Sequence, residues 1–217
     1  NISAQEFKQL IDDIQGKSAF ELNLPDAIDI CGTGGSMLPK INTSTIVAFI
    51  VASLGINVAK HGNKASSSQF GSFDLLEALG INNVTNAKDL ERIYRNQNLV
   101  FLFAPTFYPI MKSFKEVRRK IGKPTFFNAM GPLLSPAHVK KQIIGTAFAD
   151  KMDLIAQTSQ LLGKKHVIVL HGEDGLVGVE RRERELLEPR IQLVAADPGL
   201  EVGTHRGGEG GRIDRMD

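Results

Sequence analysis

The chain has 217 residues, of which 42% are hydrophobic, 23% charged and 6% aromatic, a composition typical of a globular protein. Its 26 basic residues are nearly balanced by 24 acidic ones, which argues against a nucleic-acid-binding surface, and its single cysteine, Cys31, excludes an intrachain disulfide and a multi-cysteine zinc site. A chain of this length buries roughly 70% of its unfolded surface, so it needs no covalent or metal cross-link for stability.

The predicted helices and strands alternate along the chain. An amphipathic helix over residues 3–15 comes first and opens with the capping box Ser3-x-x-Glu6. Strands are predicted at residues 27–31, 56–60, 99–104, 125–128, 142–147 and 166–170. Further helices are predicted at residues 43–54, 72–79, 87–97, 108–121 and 150–162. The strands are apolar almost throughout, which is typical of a parallel sheet covered on both faces, and the alternation predicts an α/β fold.

The composition changes abruptly near residue 176. Residues 1–175 contain 15 lysines, 4 arginines and 11 asparagines, whereas residues 176–217 contain 7 arginines, no lysine and no asparagine. Beyond the apolar run at residues 191–196, this tail shows no strong apolar periodicity. We interpret it either as a polar extension without regular structure or as a segment translated from a different reading frame or source.

No targeting or membrane segment is apparent in the sequence. The longest strongly apolar stretch, residues 46–54, is far shorter than the ~20 residues that span a bilayer. Asn1 is not an initiator residue, and no basic segment followed by an apolar one comes after it. We therefore expect a cytoplasmic protein with no membrane contact, and a chain that is a piece of something longer.

Two adjacent motifs near the first predicted strand suggest an anion-binding site. Residues 29–35, DICGTGG, place three glycines after the strand, where backbone amides can approach an anion, although a tight turn explains such a loop equally well. Residues 42–45, NTST, then start a helix. One such residue suffices for an N-cap, whereas four in a row favour a phosphate site, and a hydroxyl here is also a candidate Mg²⁺ ligand.

A third polar motif, KHGNKASSS, occupies residues 60–68 after the second predicted strand and is followed by Gly71-Ser72. Its two lysines and three serines can surround a second anionic group, and the alternative is a polar surface turn. The sequence gives His61 no partner, so a packed or solvated histidine is the expectation for it. Arg118 and Arg119, on the predicted helix 108–121, are either solvated or able to bind a carboxylate through two parallel hydrogen bonds.

The order of the motifs is more specific than any one of them. That order is GTGG, NTST, KHGN, SSSQFGSFDLLEALG, FLFAP, EVRRKIG, FFNAMGPL and HGEDGL, and over roughly residues 5–176 it resembles the anthranilate phosphoribosyltransferases of tryptophan biosynthesis. The resemblance implies a nucleoside phosphorylase-type α/β domain with a mainly parallel sheet flanked by helices, a small helical domain and a homodimer. It also implies transfer of phosphoribose from phosphoribosyl pyrophosphate to anthranilate, with Mg²⁺ as cofactor.

The resemblance further implies how the chain is divided. Residues 1–22 are expected to be a remnant of the helical domain, and residues 23–176 the α/β domain. Helix 108–121 is expected to pack with the helical domain, and residues 177–217 form the atypical tail.

The site residues that the resemblance implies fall into three groups. Lys60 and Arg118 are expected to serve catalysis, and Ser44 to bind Mg²⁺. The residues expected to bind anthranilate are Gly32, His61, Asn63, Arg118 and Pro132. Those expected to bind phosphoribosyl pyrophosphate are Gly32, Gly35, Ser36, Asn42, Thr43, Ser44, Thr45, Lys60, His61, Gly62, Asn63, Lys64, Ser66, Ser67, Ser68 and Ser72.

The chain also departs from the pattern of that family. Ser36 stands in place of an aspartate, Tyr108 in place of a histidine, and Val177-Gly178 in place of a magnesium-binding Asp-Glu pair. Because Val and Gly side chains offer no oxygen ligand, one alternative is a catalytically impaired relative that only binds phosphoribosyl pyrophosphate. A second alternative is an enzyme similar to the pyrimidine nucleoside phosphorylases, which share the architecture.

Overall fold

A computed structural model describes residues 2–35, 41–64, 71–121, 125–172, 191–196 and 203–206. The strands are β1 Ile28–Gly32, β2 Val58–Gly62, β3 Leu99–Phe103, β4 Lys141–Gly145, β5 His166–Gly172, β6 Ile191–Ala196 and β7 Gly203–Arg206. The helices are α1 Ala4–Gln15, α2 Thr43–Ser53, α3 Ser72–Ala78, α4 Ala87–Gln97, α5 Ala104–Phe107, α6 Met111–Ile121, α7 Phe127–Leu133 and α8 Met152–Leu161, with one turn of 3₁₀ helix at Ala149–Lys151.

The strands form a single sheet in the order β3-β2-β1-β4-β5-β6-β7. Strands β1 to β5 are parallel to their neighbours, whereas β6 runs antiparallel to β5, and β7 antiparallel to β6. The predicted α/β fold with a mainly parallel sheet is therefore confirmed. Strands β6 and β7 lie in the tail, where the sequence analysis predicts no strand.

The strand predicted at residues 125–128 is wrong, because the chain there bends into helix α7. Asn128 Oδ1 accepts a hydrogen bond from Thr125 N at 3.0 Å, and Thr125 Oγ1 accepts one from Phe127 N at 3.3 Å. Such short-range bonds compete with an extended backbone. The aromatic rings that suggest a strand are instead stacked on each other, with the Phe126 and Phe127 centroids 4.5 Å apart.

Helix α1 belongs to the same hydrophobic core as the sheet. Its capping box forms as predicted, with Ser3 and Glu6 bonded to each other's backbone N–H groups. The apolar face buries Phe7, Ile11 and Ile14 in the core cluster, and the helix packs against α8. The division of the chain at residue 22 stays a prediction. Of the helices in the described ranges, none is long and apolar enough to cross a membrane.

Candidate active site

The described parts of the predicted polar motifs lie at the carboxyl edge of the sheet, next to the starts of α2 and α3. Gly32 at the end of β1 is paired in register with Gly145 at the end of β4, and β2 lies on the other side of β1. Asn42 Nδ2 donates a hydrogen bond to Gly71 O at 3.1 Å, which joins the starts of the two helices. Ligands of parallel α/β folds bind at this edge.

The glycine-rich loop adopts a backbone that favours glycine. Gly34 and Gly35 have φ angles of 65° and 79°, in the left-handed region. A Cβ atom on Gly35 would lie 2.7 Å from Cζ of Phe148, which is closer than van der Waals contact allows. The loop therefore brings bare backbone to the site and leaves no room for a side chain at Gly35.

Replacing Gly35 with alanine is expected to lower the free energy of unfolding by about 1–2 kcal/mol, the cost of a left-handed residue with a Cβ. The matched control is Gly131→Ala in α7, where a Cβ meets no atom within 4 Å. Alanine favours a helix interior over glycine, so this control is expected to be as stable as the wild type or more stable. Urea denaturation measures both, and equal stabilities would contradict the strain inferred at Gly35.

Lys60 is a buried cation that connects two of the predicted motifs. Its side chain is 2% exposed, and Nζ donates hydrogen bonds to Ile30 O at 2.6 Å and to Ser44 Oγ at 3.1 Å. Burial lowers the pKa of Lys60, while the neighbouring Asp29 and Cys31 act in the opposite direction. The ammonium group therefore fixes the hydroxyl of Ser44 at the start of α2.

His61 is held between two acceptors. Its Nδ1 lies 2.5 Å from Asp29 Oδ2, its Nε2 lies 2.8 Å from Gly131 O, and its backbone N donates to Asp29 Oδ1 at 3.3 Å. Both ring nitrogens face oxygen atoms, a carboxylate on one side and a backbone carbonyl on the other, so the ring is held in one orientation. Burial opposes ionisation of Asp29, but the His61 charge and hydrogen bond outweigh it, so the pKa of Asp29 is lowered.

Gln142 extends this pair into a network across three strands. Its Nε2 donates to Asp29 Oδ2 at 3.0 Å and to Pro132 O at 2.6 Å, and it also contacts Cys31 Sγ at 3.3 Å. Through Gly131 and Pro132 the network fixes α7 against β1, β2 and β4. The sequence analysis assigned no role to Asp29 or Gln142, although a carboxylate inside an apolar strand is a signal of such a network.

The ligating atoms of Asp29, Cys31 and His61 lie within 4.8 Å of one another, and all three residues are buried. Their chemistry does not suit a metal ion. Asp29 and His61 already bind each other, and burial raises the pKa of the Cys31 thiol, which favours its protonated form. Lys60 and Lys164 add positive charge nearby.

Other predicted site residues have different surroundings. Thr45 is buried, and its Oγ1 has no hydrogen-bond partner in the described ranges. Asn63 Oδ1 accepts from Lys64 N at 2.7 Å, and the exposed Lys64 Nζ pairs with Glu77 at 2.7 Å, which raises the pKa of Lys64. Gly62 lies so close to Ser72 that a Cβ atom on Gly62 would be only 3.1 Å from Ser72 Cβ.

The described part of the chain omits some predicted positions. Ser36, Ser66, Ser67, Ser68 and Val177-Gly178 lie outside the described residues. Arg118 belongs to helix α6, but the description does not include its side chain.

Comparison with known proteins gives a consistent result. The model of the glycosyl transferase family, a/b domain, matches residues 24–185. The anthranilate phosphoribosyltransferase of Lactococcus lactis subsp. cremoris is 43% identical over 176 residues, which cover 80% of this chain and 52% of that protein. The chain thus spans about half the length of the curated relatives it matches.

Solved structures show the same likeness. The anthranilate phosphoribosyltransferase of Thermus thermophilus matches with a TM-score of 0.81 at 29% identity, over 95% of this chain and 60% of that one. That of Saccharomyces cerevisiae, in complex with PRPP and Mg, matches with a TM-score of 0.73 at 28% identity, over 89% of this chain and 52% of that one. The expected resemblance is thereby confirmed.

Proposed function

Since the chain belongs to the glycosyl transferase family, a/b domain, we propose that it transfers the phosphoribosyl group of phosphoribosyl pyrophosphate to the amine of anthranilate. The relatives named above carry this activity in their names. The observation that best supports the proposal is the contact between Lys60 and Ser44, because it joins the KHGN and NTST motifs beside the glycine-rich loop. The site that results is positively charged and rich in hydroxyl groups, as a phosphate ligand requires.

Phosphoribosyl pyrophosphate carries two anionic groups, a 5′-phosphate and a pyrophosphate. The glycine-rich loop with the start of α2 forms one anion-binding region, and the loop after β2 with the start of α3 forms the other. The hydrogen bond between Asn42 and Gly71 holds these regions next to each other. In this arrangement Lys60 is a positioning residue, because its buried ammonium group acts on the substrate through Ser44.

Magnesium would be held by Ser44. The Ser44 hydroxyl accepts from Lys60 and keeps a second lone pair for a cation. Asp29, the carboxylate buried beneath this loop, is already paired with His61. Mg²⁺ commonly takes substrate phosphates and water as its other ligands, and its charge would offset that of the leaving pyrophosphate.

Anthranilate would occupy the region bounded by Gly32, Asn63 and Pro132, with Arg118 of α6 binding its carboxylate. His61 supports this region by holding the backbone carbonyl of Gly131. The amine of anthranilate already has a free lone pair, so the reaction requires no strong base. Catalysis is then mainly positioning and stabilisation of the departing negative charge.

We also place the enzyme in the cytoplasm as a homodimer.

The test follows anthranilate fluorescence in the presence of the purified chain, phosphoribosyl pyrophosphate and Mg²⁺. We expect a magnesium-dependent loss of signal, with the affinity for anthranilate about tenfold lower in Arg118→Ala, the scale of one charged hydrogen bond. The control is Arg92→Ala, an arginine that is 71% exposed and pairs with Asp89 on α4. Binding of phosphoribosyl pyrophosphate without turnover would instead identify the impaired relative. Phosphorolysis of thymidine would identify the phosphorylase.

A further inference from the structure

A second cleft lies at the opposite edge of the sheet, near the amino ends of β4 and β5. Lys140 and Lys164, which come just before these strands, line it together with Ser135 and His138. The far end of β4, at Gly145, lies next to the glycine-rich loop of the candidate active site, and a five-residue strand is roughly 16 Å long.

The described lining of the cleft carries positive charge and no acid, although the Glu21 carboxylate acts on His138 from outside the lining. Lys164 is 7% exposed, and within the described part of the chain its Nζ has one hydrogen-bond acceptor, Val139 O, at 3.2 Å. Among the described residues that line the cleft, none is acidic, and no described carboxylate forms an ion pair with Lys164. The acid that acts on Lys164 from a distance is Asp29, which is already paired with His61. An ammonium group that is buried without an ion pair lowers the stability of the fold unless an anion binds next to it.

Ser135 provides an independent observation. It is 1% exposed, and its Oγ has no hydrogen-bond partner among the residues that the structure describes. A buried hydroxyl without a partner is uncommon and indicates a group that the described chain does not supply. The neighbouring His138 adopts a left-handed backbone with φ of 49°. Partial desolvation, followed by the charge of Lys164, lowers the pKa of His138, while the charge of Glu21 acts in the opposite direction.

The size of the cleft restricts the ligand. Its volume of about 50 Å³ holds roughly four water molecules, far fewer than a site for a nucleotide or a sugar phosphate contains. We propose that the cleft binds one small free oxyanion, of the size and charge of phosphate or sulfate, with Lys164 and Ser135 as the buried donors. Lys140 and His138 add positive charge at the more exposed side.

The test measures thermal unfolding by circular dichroism while inorganic phosphate or sulfate replaces chloride at constant ionic strength. We compare the wild type with Ser135→Ala and Lys164→Gln. The control is Lys165→Gln, because Lys165 is an exposed neighbour of Lys164. Ser44→Ala separates this cleft from the candidate active site, whose loops also attract phosphate.

We expect the anions to raise the Tm of the wild type, Lys165→Gln and Ser44→Ala, with at least tenfold weaker binding in Ser135→Ala and Lys164→Gln. Ser135→Ala is the decisive variant, because removing an unpartnered hydroxyl leaves no new polar group buried and its Tm without anion should not fall. The proposal is overturned if Ser135→Ala retains the full response, if Ser44→Ala loses it, or if the wild type does not respond.

Discussion

Replacing Asp29 with asparagine is expected to lower the free energy of unfolding by about 3–5 kcal/mol, the usual cost of removing one member of a buried ion pair. The carboxylate is fully buried and accepts hydrogen bonds from the His61 ring, the His61 backbone and Gln142. An asparagine has one oxygen for these donors, and its NH₂ group would face another donor. The buried His61 ring would then lose the carboxylate that it faces.

Urea denaturation at neutral pH measures this change. The control is Asp12→Asn, which removes a partly exposed carboxylate of α1 that pairs with Lys8 one helical turn away. Surface pairs of this kind contribute about 0–1 kcal/mol, so the control should unfold nearly as the wild type does. If the two variants were equally stable, Asp29 would have no special role.

The same pair predicts how stability depends on pH. The pKa of Asp29 is lowered from its ordinary value of 3.8, so its folded form holds a proton less tightly than its unfolded form. The contribution of the ionised Asp29 to the free energy of unfolding is complete above pH 3.8 and is lost as the pH falls below that value. The difference in unfolding free energy between the wild type and Asp29→Asn should therefore narrow on acidification below pH 3.8. A constant difference would mean that the carboxylate is not ionised.

Replacing Lys60 with methionine is expected to weaken binding of phosphoribosyl pyrophosphate about 100-fold, equivalent to about 2.7 kcal/mol, while leaving the fold intact. Methionine fills a similar volume but leaves the buried Ile30 O without its donor, so we also expect the free energy of unfolding to fall by about 1–3 kcal/mol. Ser44 would lose the donor that fixes its hydroxyl, and the site would lose a positive charge.

Titration calorimetry with phosphoribosyl pyrophosphate and Mg²⁺ measures the affinity, and urea denaturation measures the stability of the same samples. Lys88→Met, at an exposed lysine of α4, is the control for the loss of one charge. If Lys60 only supports the fold, Lys60→Met will be less stable, but its folded fraction will bind phosphoribosyl pyrophosphate with unchanged affinity. That outcome would remove Lys60 from the binding site.

The sequence predicts most helices and parallel strands correctly, because their signals are local. Helices α1 to α4 agree with their predicted bounds to within one residue. The strand prediction for residues 125–128 is wrong because an apolar aromatic run has the same pattern in a buried strand and in a buried helix. The bonds between Thr125 and Asn128 decide the outcome.

The candidate site is predictable to a smaller extent. Glycines and hydroxyl residues identify the loops, because these residue types are needed wherever a backbone approaches an anion. The network beneath the loops depends on partners far apart in the chain: Asp29 and Gln142 are 113 positions apart. No short motif can show that pairing, or the pairing of His61 with Asp29 over 32 positions, and so His61 has no partner in the sequence alone.

The order of strands in the sheet also has a consequence for synthesis. Strand β1 lies between β2 and β4, so one of its edges cannot be paired until β4 has left the ribosome. At 5–20 residues per second, the 113 positions from Asp29 to Gln142 take roughly 6–23 seconds to translate. Throughout that interval the nascent chain carries an apolar strand with an open edge and a carboxylate that lacks one of its donors. This is the stage at which the growing polypeptide is most exposed to wrong pairing and most in need of a chaperone.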